Sequence, residues 1–212
     1  SCNSDGKTYL AKGKLNSDES HRFWQESDPH GLIELIKHRF QDDGDAQQFR
    51  RTIRYLKRWK DVKFPSTGHA APIGIGITVA AYHWFTPVKT VNAFENTVRY
   101  DDLEALRRFA KILLGNFRSM YADGQWVERL QVFLPVAPRN DLFEKMTDNQ
   151  MTDFKVRLEK LLQALEAAHE EADPVEACTI LRGQFGDDFP VPPKEETARK
   201  SRPAIISSSS SA

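Results

Sequence analysis

The residues best suited to chemistry lie in one run. Positions 49–85 read FRRTIRYLKRWKDVKFPSTGHAAPIGIGITVAAYHWF. Wound at ~100° per residue, Phe49, Ile53, Leu56 and Trp59 fall on one side of a helix, and Arg50, Arg51, Arg54, Lys57 and Arg58 on the other. The first face can lock the helix into a core. The second presents fixed positive charge, and guanidinium and ammonium groups make charge-assisted hydrogen bonds to phosphate oxygens. Such a face is ordinarily only solvated. Here the chain balances 30 Lys+Arg against 30 Asp+Glu, so the basic cluster is local and not a compositional drift.

Other constellations offer less. There is no GxGxxG and no P-loop, and the GIGIT run lacks the lysine and strand–helix setting of a nucleotide fingerprint. The histidines at 21, 30, 38, 69, 83 and 169 include no i,i+4 pair. His83, on an apolar segment, reads as a satisfied core histidine. The doublets Asp42–Asp43, Asp101–Asp102 and Asp187–Asp188 suit helix caps and turns better than metal sites, because adjacent carboxylates diverge. The tryptophans at 24, 59, 84 and 126 read as core anchors.

The elements that would position these residues are mainly helical. TYLAKGKL at 8–15 alternates around Gly13 and suits a strand or short hairpin. Asp28 with Pro29 is a helix-start signal, and Leu32, Ile33, Leu35, Ile36 and Phe40 suit a short buried helix. Pro72 can open the helix after the basic one, with Gly74 and Gly76 weakening its first turn unless something approaches the backbone there. Asp101/Asp102 can cap a helix through 103–117 with Leu106, Phe109, Leu113 and Phe117 inward. WVERLQVFLPVAP alternates Leu130, Val132 and Leu134 as a short strand stopped by Pro135 and Pro138. Thr147 and Gln150 form a capping box before a helix over 151–172. Asp173–Pro174 starts another, ended by Gly186. From Pro190 the Pro-, Ser- and charge-rich composition predicts disorder.

At 212 residues the chain can hold one sizeable domain or two small ones. Its charge balance gives no global case for nucleic-acid or membrane binding. The two cysteines, Cys2 and Cys178, match no metal-ligand spacing, and a reducing cytoplasm is the default expectation. No apolar run approaches the ~20 residues of a membrane span. The first residues show no signal-peptide core and no initiating Met, which predicts a chain that begins within a longer protein.

RRTIRYLKRWKDVK, the turn Pro–x–Gly–Ile–x–Ile–Thr from Pro72 to Thr78, and the apolar segment after it resemble the spine-helix region of the cGAS/DncV-like nucleotidyltransferases (CD-NTases). The resemblance continues in W-x-x-S-D-P from Trp24 to Pro29, and in LPVAPRNDLFEKMTDNQM and DPVEACTILRGQFGDDFPVP. It covers residues 24–192, and the ordered set is more specific than YLKRW alone.

That resemblance implies bacterial enzymes that make cyclic di- or oligonucleotide second messengers from ATP/GTP-type nucleotides in anti-phage defence. Their chemistry is phosphoryl transfer with two Mg2+ ions on three carboxylates, beside a Gly-Ser turn. No Gly-Ser followed by an Asp-x-Asp strand occurs here, so the resemblance implies a C-terminal portion, without the metal ligands and without the N-terminal nucleotidyltransferase lobe. The fold expected is mainly α with minor β, the helical lobe of a polymerase-β-like nucleotidyltransferase. Residues 1–23 would be a remnant of the core, 24–192 the helical lobe and 193–212 a disordered tail.

Lys57 matches the family lysine that reaches the donor triphosphate. Where the family has a serine after the turn's proline, this chain has Ile73 and Gly74, so that hydroxyl contact is either absent or replaced by a backbone N–H, with Gly74 as the candidate binding residue. Arg54 and Arg58 would neighbour the cleft, and Arg51 would pair with an acidic residue of the other lobe. In some of the family's systems a ubiquitin-activation-like ligase conjugates the C-terminal residue, and the small Ala212 meets that steric requirement. The alternative function is a non-catalytic helical module that binds nucleotide, RNA or a protein partner.

Overall fold

The structure is a computed structural model, and it describes residues 8–12, 23–64, 71–122 and 124–193. The expectations for residues 13–15 and 194–212, Ala212 among them, lie outside the described residues.

The chain opens with two antiparallel strands, β1 (Tyr9–Lys12) and β2 (Phe23–Glu26), in which Ala11 faces Trp24. Helix α1 (Pro29–Lys37) starts where Asp28 and Pro29 predict, with the Asp28 carboxylate accepting from the Gly31 N–H at 2.7 Å. It is not the buried helix expected, for none of its residues is buried. Its nine residues lie at the margin of the fold, and only the Leu32/Ile36 edge packs on the core.

The basic run forms α2 (Asp43–Lys63), a helix of 21 residues capped by Asp42. Phe49, Ile53, Leu56 and Trp59 are all buried, as the periodicity requires. Each such side chain contributes roughly 1.5–3 kcal/mol of burial, which is why tertiary packing rather than helix propensity holds α2 in place. Helix α3 (Gly74–Trp84) is apolar and mostly buried. Pro72 does not open it; the N-cap is Ile73, one residue later.

An exposed hairpin follows, β3 (Lys89–Asn92) with β4 (Thr97–Tyr100), where Val91 faces Val98. No sequence expectation covered it, because neither strand buries a face and so neither shows period-2 hydrophobicity. Helix α4 (Asp102–Gly115) is capped by Asp101 and buries Leu106, Phe109 and Leu113. Phe117 is buried too, but from a strand: α4 stops at Gly115, and β5 (Phe117–Ala122) pairs with β6 (Gln125–Leu130).

The strand expected through Leu134 ends at Leu130. Beyond it the chain turns into a loop. There the Asp141 carboxylate accepts from the Val132 N–H at 2.9 Å and the Phe143 N–H at 3.0 Å. Side-chain capture of backbone donors thus replaces a strand ladder. Helix α5 (Asp148–Glu170) begins at the Thr147/Gln150 capping box. Helix α6 (Pro174–Phe185) begins at Asp173 and ends at Gly186. The core joins α2, α3, α4 and α5 around Trp59, Phe64, Phe109, Phe143, Phe154 and Leu158, so the fold is mainly α, with three two-stranded sheets among the described residues. Of the tryptophans, only Trp59 is a core anchor; Trp24 and Trp126 are exposed and Trp84 is half-buried.

Candidate functional site

Packing separates the α2 cations into those that hold the fold and those left facing solvent. Arg51 grips Asp102 with two bonds, Nε to Oδ2 at 2.5 Å and Nη2 to Oδ1 at 2.9 Å. It therefore pairs within this chain, at the start of α4, and not with another lobe. Beside it the buried Gln48 accepts from the Val88 N–H and donates to the carbonyls of Val88 and Asp101. Together they clamp α2 to the segment that enters and leaves the β3–β4 hairpin.

Arg58 is likewise committed. Its Nε donates to the Phe185 carbonyl and its Nη2 to Asp188, both at 2.8 Å, which ties α2 to the end of α6. Arg58, which the resemblance sets beside a phosphate cleft, is thus tied into the bundle through these bonds. Lys60 pairs with Asp61, and Lys63 donates to the Gly183 carbonyl. Among the described residues, Arg50, Arg54 and Lys57 have no carboxylate partner. They form a single stripe at i, i+4 and i+7.

Lys57 lies against the start of α3. A Cβ placed on Gly74 would meet Lys57 Cε at 3.6 Å, an ordinary van der Waals contact. The lysine stem therefore runs along the first turn of that helix. Ile73 supplies no side-chain cap, and the first backbone N–H groups bonded within the helix are those of Gly76 and Ile77, both to the Ile73 carbonyl. The N–H groups of Gly74 and Ile75 are thus unspent among the described residues. Free donors at the positive end of a helix dipole, next to an ammonium, form an anion-binding arrangement.

Gly76 serves packing instead. A Cβ there would run into the ring of the buried Phe143. The close approach that two glycines in one turn foretold is therefore a core contact at Gly76 and an open surface at Gly74. Thr78 turns its hydroxyl back on the Gly74 carbonyl at 3.0 Å, so this hydroxyl is spent within α3.

The remaining sequence candidates settle as structural groups. His83 is exposed, not a core residue, and bonds the Phe133 carbonyl through Nε2 at 2.7 Å. It lines a wide groove of about 830 Å³ with Asp28, Glu34, His38 and Arg39. There Asp28 is spent on its cap, His38 on Glu34, and Arg39 on the Tyr82 carbonyl. Asp42 caps α2, accepts a bond from the Tyr100 hydroxyl and has its pKa lowered by these bonds. Burial, reinforced by hydrogen bonds to Asp42 and Asp45, pushes the Tyr100 hydroxyl up to about 12. No group of three or more His, Cys, Asp or Glu among the described residues could hold a metal ion. The magnesium that the family resemblance implies thus finds no ligand set among the described residues.

Helices α2 to α6 share their fold with part of the solved structures of a dinucleotide cyclase. The chain is 31% identical over 84 residues to a cyclic GMP-AMP synthase of Escherichia albertii, a match covering 39% of this chain and 18% of that protein. Vibrio cholerae DncV, a cyclic AMP-GMP synthase solved with nonhydrolyzable GTP, superposes with a TM-score of 0.58 at 21% identity, over 82% of this chain and 41% of DncV. Its complex with ATP, GTP and 5MTHFGLU2 gives 0.57 at 22% identity, over 80% of this chain and 39% of that one. No family profile matches the chain. The likeness to DncV establishes the fold, and this chain spans less than half of the length of the proteins it resembles. Among the described residues no helix is long and apolar enough to cross a membrane.

Proposed function

We propose that this chain contributes the donor-phosphate wall of the cleft in a nucleotidyltransferase that joins nucleoside triphosphates into cyclic di- or oligonucleotides. One observation carries the proposal: Lys57, with no carboxylate partner among the described residues, lies along the first turn of α3, beside N–H groups of Gly74 and Ile75 that are unspent among those residues. In this reading the ammonium neutralises charge on the donor's β- and γ-phosphates as pyrophosphate departs. The two N–H groups fix the same phosphates at a helix N-terminus. Arg54, exposed one turn away, borders the cleft. Arg58 has a structural role only. The ATP/GTP-type substrates are supported by the likeness to the cyclic nucleotide synthases, and the bacterial-defence role by the resemblance of the sequence motifs alone; both form part of the proposal.

Titration of this chain with a nucleoside triphosphate, by calorimetry or fluorescence anisotropy, tests it. Lys57→Ala should weaken binding by about 1.5–3 kcal/mol, the range for a charge-assisted contact. The helical circular dichroism should be retained, because the ammonium lies off the apolar face. Unchanged affinity would reduce Lys57 to a solvated cation.

A further inference from the structure

Tyr55 lies two residues before Lys57 on α2, about 200° round the helix, and so belongs to the opposite side. There it lines a pocket of about 210 Å³ together with α4, α5 and α6. Leu103 and Leu106 of α4, Leu165 of α5 and Leu181 of α6 supply aliphatic walls. Two further rings complete the apolar lining. Phe185 and Phe189 stack at 5.5 Å with 26° between their planes, and Tyr55 tilts against Phe185 at 5.9 Å.

Two polar groups share this lining. Tyr55 is half-buried, and its hydroxyl has no hydrogen-bond partner among the described residues. Asp102 is the other, and its charge is already answered: Arg51 donates two bonds to it, and Gln48 a third at 3.2 Å. These facts select a ligand. No net charge faces the pocket, so an ion would find nothing there to offset its desolvation. A cavity of roughly 150 Å³ walled by aliphatic and aromatic side chains holds benzene, so this pocket has room for one ring or two fused ones. Aromatic walls give such a flat body edge and face contacts. The Tyr55 hydroxyl can donate or accept, and the Asp102 oxygens can accept from an N–H or O–H. A few convergent polar atoms in an apolar pocket are the usual makings of a small-molecule site.

We infer that this pocket binds a small neutral heteroaromatic molecule, of one ring or two fused rings, that directs a single N–H or O–H donor toward Tyr55 and Asp102. The site stands apart from Lys57 and does not depend on the donor-phosphate reading. Binding is noncovalent. The ligand touches α2, α4, α5 and α6 together, and so braces the Arg51–Asp102 clamp between α2 and α4.

The experiment follows the leucine methyl groups of the full chain by NMR during titration with indole, which is bicyclic, neutral and carries one N–H. Benzothiophene, of the same shape without the N–H, is the comparison. Indole should shift the methyls of Leu103, Leu106, Leu165 and Leu181 saturably. Tyr55→Phe keeps the ring and removes the hydroxyl. It should weaken indole roughly fivefold, the effect of one hydrogen bond, and leave benzothiophene unchanged. Leu103→Trp fills the pocket from a half-buried position and should abolish binding of both. Thermal melts check that each variant folds, and if Leu103→Trp does not, Tyr55→Phe alone decides. Inorganic triphosphate, which has no ring, should not displace indole. Absence of saturable shifts at these four leucines would overturn the site. So would binding that survives in a folded Leu103→Trp, or displacement of indole by triphosphate, which would place the ring at Lys57 instead. Indole affinity indifferent to Tyr55→Phe would overturn the donor-bearing class of ligand and leave a bare apolar recess.

Discussion

Among the described residues Glu104 is the one buried carboxylate. The Arg107 guanidinium grips it through two bonds, at 2.7 and 3.0 Å, and Arg108 adds a third at 2.6 Å. These bonds, led by that from Arg107, pull its pKa down to about 2 from the ordinary 4.5. The folded state therefore binds this proton later than the unfolded chain as pH falls. Its stabilisation is complete above about 4.5 and is lost as pH falls toward about 2. The expected contribution is about 2 kcal/mol, less than the full shift implies, because the Arg108 side chain is 63% exposed. Urea melts of the parent chain and Glu104→Gln should differ by that amount at pH 6 and converge near pH 2. A constant difference across the range would mean that the carboxylate's charge is not what Glu104 contributes. At Gly76, alanine should destabilise by about 1–3 kcal/mol through overpacking against Phe143, whereas Gly74→Ala should be nearly neutral in the same melts.

Along α2, the cations divide by what lies opposite them. Arg51 and Arg58 face α4 and α6 and lace the bundle together; Arg50 and Arg54 are exposed, and the half-buried Lys57 lies along the start of α3. Arg58→Ala strands the Phe185 carbonyl and Asp188, and should cost about 1 kcal/mol of stability with little effect on nucleotide binding. Arg54→Ala should do the reverse. Chemical denaturation and triphosphate titration of the two variants separate the roles, and matching losses of stability would show that both arginines are structural. The hairpin of β3 and β4 is mounted on the same helix: Lys89 bonds Asp45 at 2.6 Å, and the Tyr100 hydroxyl donates to Asp42 and Asp45 at 2.8 Å each. The N-terminus of α2 therefore fixes the base of an otherwise exposed element.

For the whole molecule, the proposed phosphate wall would supply binding without the metal-held charge that nucleotidyl transfer uses. The sequence carries no Gly-Ser followed by an Asp-x-Asp strand. This chain alone, given nucleoside triphosphates with magnesium or manganese, should form no cyclic nucleotide on a thin-layer plate; labelled product that disappears with the chain would overturn this. Much of the scaffold was legible from local rules. The apolar period of α2, the caps at Asp28, Asp101, Thr147 and Asp173, and the stop at Gly186 depend on residues within a turn or two of each other, so spacing reveals them. As a phosphate-binding pair, Lys57 and Gly74 were suggested by resemblance alone. Their meeting joins two helices across residues 58–73, and no periodicity encodes that contact. The same limit hid the exposed hairpin and the shallow seating of α1, and it misplaced His83 and three of the tryptophans, because local hydrophobicity does not say which apolar segment finds a covering neighbour. By itself the sequence determined a helical chain with one basic face. Only the tertiary structure decided which of those charges hold the fold and which remain free, because an ion pair requires a partner that the chain brings near from far away in sequence.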